Sequence, residues 1–134
     1  MAINLRRRHP LTTNPNVSIG IAFPLDEINM FKGTKTIKDQ LKSNFLNLLL
    51  TEPGERVMEP NFGIGLKKLL FESNISEDNL NETINNQTQR FIPQITLIRV
   101  DTRFNPDEHL LSIKLDYKFN FDSTVDSIQL NFLE

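Results

Sequence analysis

Thr51-Glu52-Pro53-Gly54-Glu55-Arg56-Val57-Met58-Glu59-Pro60-Asn61-Phe62-Gly63-Ile64-Gly65-Leu66-Lys67-Lys68-Leu69-Leu70-Phe71-Glu72 holds three of the chain's five glycines and two of its seven prolines. Glycine supplies positive φ and proline fixes φ, so this clustering marks a shaped turn system rather than a plain connector. Both flanks read as helix. Upstream, over residues 34–50, Ile37, Leu41, Phe45, Leu48 and Leu49 recur at spacings of three and four, with Thr34 or Thr36 as the cap. Lys35, Lys38, Asp39 and Lys42 take the other faces, and Pro53-Gly54 ends the element. Downstream, residues 65–71 read as a short helical piece with Leu66, Leu69 and Leu70 apolar and Lys67-Lys68 outward.

Ser76 then caps a third helix, whose Glu77 and Asp78 complement the helix dipole. Leu80, Ile84 and Phe91 mark its inner stripe, and Arg90 lies in its last turn. The remaining face is crowded with amides (Asn81, Asn85, Asn86, Gln87, Gln89) and is either solvated or a protein contact. Pro93 ends the helix and the period switches to two. Residues 94–104 read as a strand with Thr96, Ile98, Val100, Thr102 and Phe104 on one face, followed by a turn at Asn105-Pro106-Asp107-Glu108. The next strand is the most regular stretch: Leu111, Ile113, Leu115, Tyr117, Phe119 and Phe121 alternate with Ser112, Lys114, Asp116, Lys118, Asn120 and Asp122. Twelve such residues span roughly 40 Å, about twice the usual strand, so this hairpin is expected to project beyond its helices. After Asp122-Ser123-Thr124, Ile128, Leu130 and Phe132 form one face of a last strand, which either closes its sheet or offers a free edge.

The expected fold is therefore α+β: three helices packed on a small antiparallel sheet with a long projecting hairpin and a C-terminal edge strand. Residues 1–16, with Arg6–Arg8 followed by Pro10 and Pro15, read as a flexible N-terminal arm. Residues 17–134 are expected to form a single domain, opening with a short strand over 17–23 that Pro24 stops.

Composition narrows the function. The chain has no cysteine and two histidines, His9 and His109, which leaves little material for a thiolate site, a zinc centre or an imidazole base. Glu52, Glu55, Glu59 and Glu72 surround the turn, yet no pair has a recognisable catalytic context. A sugar cleft would also want Trp or Tyr to stack on, and the chain has no Trp and one Tyr. Gly63-Ile64-Gly65 is too short for a phosphate cradle and follows no strand. The expectation is no enzyme, no cofactor and no metal. The N-terminus lacks the apolar core of a signal peptide, and no run approaches the roughly 18 apolar residues that span a bilayer. No basic stripe interleaved with aromatics points to nucleic acid. Charge is split, with ten Lys/Arg and six Asp/Glu in residues 1–68 against five and eleven in residues 69–134, which suits partner surfaces of opposite sign.

The order Leu48-Leu49-Leu50-Thr51-x-Pro53-Gly54-Glu55-Arg56, Pro60-x-Phe62-Gly63, Leu69-Leu70-Phe71-Glu72 resembles the baseplate wedge and sheath-initiator family of contractile phage tails. That family includes a type six secretion baseplate component, and many members carry a historical lysozyme-like label. The resemblance covers roughly residues 18–132. It implies a structural wedge component, assembled in the host cytoplasm into the virion's tail baseplate. Such a component nucleates the sheath by offering its own sheet for strand addition. The implied partners are larger wedge subunits, the sheath subunit, and tube or hub proteins, with no nucleic acid and no membrane. Two alternatives stay open: a peptidoglycan hydrolase of the baseplate, and the equivalent part of a secretion system or tailocin. The family's Glu-Pro-Arg motif stands here as Ile92-Pro93-Gln94, so both charges are missing, with Arg90 one turn earlier as a substitute. The expected protein-contact residues are Arg56, Pro60, Phe62, Gly63, Arg90, Pro93, Ile128, Leu130 and Phe132. Phe62 and Phe71 are read as core anchors first.

Overall fold

The computed structural model describes residues 18–23, 32–71, 76–105, 107–108 and 110–133. The arm expected over residues 1–16 lies outside these, as do Val17, Glu72, Pro106 and His109. The chain falls into two compact units, Met1–Ser43 and Asn44–Glu134.

In the first unit, β1 (Gly20–Ile21) pairs antiparallel with β2 (Gly33–Thr34). The expected strand over 17–23 is reduced to these two residues, continued by single bonds from the Ile19 amide to the Thr34 carbonyl (2.7 Å) and from the Ala22 amide to the Lys32 carbonyl (2.8 Å). Gly20 and Gly33 bring no side chain to pack across this pair. Space is also lacking, since a Cβ on Gly20 would sit 2.1 Å from Gln40 Oε1. The Thr34 hydroxyl donates to the same Gln40 oxygen. Of the two candidate caps it is Thr36 that closes the helix start, its hydroxyl accepting the Asp39 amide at 3.1 Å.

Helix α1 (Ile37–Leu50) runs as read, with Leu41, Phe45, Leu48 and Leu49 buried and Ile37 exposed. In the second unit follow α2 (Leu66–Phe71) and α3 (Glu77–Phe91). Ser76 caps α3 by accepting the Asn79 amide at 3.3 Å. A Ser76→Ala variant is expected to lose about 1 kcal/mol, measured by chemical denaturation. The inner stripe is Leu80, Ile84 and Thr88, with Phe91 only half-buried. Thr88 is admitted because its hydroxyl donates to the Ile84 carbonyl at 2.7 Å, so its own polar atom is paired inside.

The second sheet has three antiparallel strands in the order β3 (Ile95–Asn105), β4 (Leu110–Phe119), β5 (Val125–Leu133). Alternate β4 residues from Leu111 to Phe119 are buried as the pattern requires, and Phe121 lies in the turn, half exposed. Glu77 in the first turn of α3 accepts a hydrogen bond from the Thr102 hydroxyl (3.1 Å), so α3 accompanies β3 to Thr102 and residues 103–105 continue beyond that contact. One face of β3 is misread by simple alternation. A bulge between Leu97 and Arg99 inserts Ile98, which is 53% exposed. Ile95 and Leu97 stand opposite buried Phe119 and Tyr117 before the bulge, and Val100 and Thr102 stand opposite buried Leu115 and Ile113 after it. One extra residue exchanges the faces, which is why Thr96 and Ile98 do not share the core side with Val100.

Tyr117 is fully buried at the sheet centre, with Phe45 edge-on at 5.2 Å and Phe119 at 5.6 Å. Its hydroxyl donates to Asp126 Oδ2 at 3.1 Å. Burial, reinforced by the Asp126 charge and hydrogen bond, pushes the phenol's pKa well above its ordinary value. The raised folded value makes this contribution complete below the unfolded pKa of about 10 and lost as pH climbs past it. Because Tyr117 is the chain's one tyrosine, absorbance at the tyrosinate band is expected to titrate only as the protein unfolds in alkali.

Candidate functional site

The corner after α1 is assembled by main-chain bonds. Thr51 ends the helix, its hydroxyl donating to the Asn47 carbonyl at 2.6 Å. The Ile64 amide then bonds the Leu48 carbonyl (3.1 Å), and the Gly65 amide bonds the Thr51 carbonyl (2.8 Å). These two bonds stitch the returning chain onto the helix end and satisfy carbonyls that would otherwise lack partners. Gly63 crosses Thr51 closely enough that a Cβ would lie 2.4 Å from the Thr51 oxygen, and its φ is +111°. The excursion between is a loop closed at its neck by the Gly54 amide on the Pro60 carbonyl at 2.8 Å.

The Arg56 guanidinium lies 3.8 Å over the Phe62 ring and 3.9 Å from Glu59. Phe62 is buried and meets Phe91 edge-on at 5.0 Å, while Gln87 Nε2 donates to the Asn61 carbonyl at 3.3 Å. The arginine therefore acts mainly through the aromatic face; the long, exposed ion pair adds little. Arg56→Ala is expected to cost about 0.5–1 kcal/mol, read as a small fall in melting temperature. The sequence carried the Arg and the Phe but nothing to show that they stack. The glutamates serve the loop: Glu55 accepts the Glu52 amide at 3.0 Å, and Glu59 faces Arg56.

The other expected contact residues are scattered. Pro60 is exposed beside the loop neck and Gly63 is buried under it. Arg90 is exposed on the last turn of α3, 5.2 Å from the Phe91 ring. At the departure from the family motif, Ile92 is buried, Pro93 and Gln94 are exposed, and Asn120 binds both carbonyls at 2.9 Å. Ile128 is buried, with Leu130 and Phe132 half-buried beside it on the inner face of β5. Their side chains fix the register of β5, standing opposite Leu115, Ile113 and Leu111.

The other property of β5 is its outer edge. The Phe119 amide bonds the Thr124 carbonyl and the Asn120 amide bonds the Gln94 carbonyl, which sets the parity of the whole sheet. Odd-numbered β4 residues turn their amides to β5 and even-numbered ones to β3. With Leu115 opposite Ile128 and Ile113 opposite Leu130, the amides of Ser127, Gln129 and Asn131 must point away from the sheet. The Ser127 amide confirms this by bonding Asp126 Oδ1 at 2.8 Å. No described strand pairs with that edge.

The family model described as baseplate wedge protein gp25 matches residues 35–124, about two-thirds of the chain. A crystal structure from Geobacter sulfurreducens, of a protein named as a candidate tail lysozyme, is 25% identical with a TM-score of 0.60 over 74% of this chain and 93% of that one. A chain of the anti-feeding prophage baseplate is 22% identical (TM-score 0.49, 84% of this chain and 82% of that one). A chain of the post-contraction pyocin R2 baseplate is 21% identical (TM-score 0.44, 71% and 83%). No curated protein sequence matches. With its Gly-Glu-Arg corner, α3, β3 and β4 all inside the matched span, the chain belongs to the baseplate wedge protein gp25 family.

Proposed function

We propose that this wedge component is a non-catalytic sheath nucleator of a contractile tail, whose β5 edge takes a strand from the first ring of sheath subunits. The unequal treatment of the sheet's two edges carries the proposal. Exposed edges are ordinarily blunted by bulges, lysines or prolines. β3 has its bulge at Ile98, whereas β5, Val125-Asp126-Ser127-Ile128-Gln129-Leu130-Asn131-Phe132-Leu133, has no bulge, lysine or proline. Its single charge, Asp126, is engaged by Tyr117 and the Ser127 amide. Main-chain bonds supply affinity in strand addition, and the inward-facing Ile128, Leu130 and Phe132 hold the template on β4. Closing the edge with Gln129→Pro and Asn131→Pro tests it: baseplates carrying the variant are expected to assemble without sheath, and normal sheath length would sink the reading.

The candidate lysozyme name on the structure with TM-score 0.60 keeps a hydrolase reading in view. Purified chain is expected to leave cell-wall suspensions turbid.

A further inference from the structure

Val57 and Met58 stand at the tip of the Gly54–Pro60 loop, 93% and 92% exposed, more than any other large apolar residue described. Ordinary surface apolar residues are scattered and partly covered. This pair is adjacent and held out by a built loop. The neck bond from Gly54 to Pro60, the Glu55 amide on the Glu52 carbonyl (3.1 Å) and the Phe62 amide on the Glu59 carbonyl (3.1 Å) fix its backbone. Arg56 is laid on Phe62, which anchors one side of the tip to the core. A pair presented this way loses little freedom when it docks, and methionine adapts its shape to a partner. Together Arg56, Val57, Met58 and Glu59 line an open, largely apolar hollow.

We propose that Val57-Met58 is a docking knob for another baseplate protein, one whose pocket has an apolar floor and a basic rim. The rim follows from charge: Glu52, Glu55 and Glu59 lie within five residues of Val57 in the chain against Arg56 alone, three acids to one base. The same charge repels anionic lipid headgroups, so the tip suits a protein pocket rather than a membrane surface. The inference rests on the chain's place in a baseplate and not on strand addition at β5.

The test uses the full chain in particle-producing cells. Met58→p-benzoylphenylalanine, irradiated in assembled particles, is expected to give one defined adduct. The joined peptide should come from a baseplate protein, with Lys or Arg near the attachment point. Val57→Ser with Met58→Ser is expected to keep its melting temperature yet enter baseplates roughly 30-fold less, as for a hot spot. Wild-type incorporation of that double variant, or adducts only to lipid or to this chain itself, would overturn the proposal. An edge-closed β5 variant gives the opposite outcome, normal incorporation without sheath, so the two readings fail separately.

Discussion

Gly63→Val is expected to lower the melting temperature by about 10–20 °C, a loss of about 3–5 kcal/mol. Two costs combine. The backbone at Gly63 has φ +111°, a region side-chain-bearing residues avoid, and the new Cβ would meet the Thr51 carbonyl oxygen at 2.4 Å. That oxygen is backbone and already accepts the Gly65 amide, so it cannot swing aside without undoing the stitch to the end of α1. Gly54→Ala separates the two costs. Its φ is +87° with nothing within 4 Å of a Cβ, so only the conformational part remains, about 1–2 kcal/mol. Thermal unfolding of both variants checks the contrast, and equal losses would show that the crossing over Thr51 is unimportant.

Gln129→Pro with Asn131→Pro is expected to abolish sheath polymerisation while the chain itself stays folded. Proline removes the amide and fixes φ, which a strand tolerates only where the amide faces outward. At Gln129 and Asn131 the ladder to β4 is carried by their neighbours Ile128 and Leu130, so the substitution should cost the fold only about 1 kcal/mol. An incoming strand would instead lose two of its bonding positions. Ile128→Pro and Leu130→Pro form the control: both break the β4 ladder, the first also empties part of the core, and they are expected to unfold the sheet. Sheath length by electron microscopy and melting temperature together read both effects.

The elements most legible from sequence were those where one period and one cap agree. α1 follows its three-and-four spacing, α3 starts at Ser76, and β4 keeps strict alternation to Phe119. Legibility failed where a single residue changed the count. Ile98 reverses the faces of β3, and nothing in Leu97-Ile98-Arg99 announces a bulge. Thr88 entered the core through a hydrogen bond to its own helix, which hydrophobic periodicity does not register. The corner's turn geometry was readable in its glycines and prolines. The Arg56–Phe62 stack was not, because contact across a loop depends on geometry that spacing leaves open. The exposure of Val57 and Met58 has no signal in the sequence, since apolar residues ordinarily point to burial. At β5 the inner face was legible in Ile128, Leu130 and Phe132, while the outward parity of the amides required the two turn bonds at Phe119 and Asn120.

Amide hydrogen exchange of β5, measured on the free chain and on baseplates bearing sheath, tests strand addition most directly. The Ile128 and Leu130 amides bond β4 and are expected to be protected in both states. The Gln129 and Asn131 amides should exchange fast in the free chain and become protected once the first sheath ring is in place. Sheath-bearing baseplates in which Gln129 and Asn131 still exchange as fast as in the free chain would contradict the account.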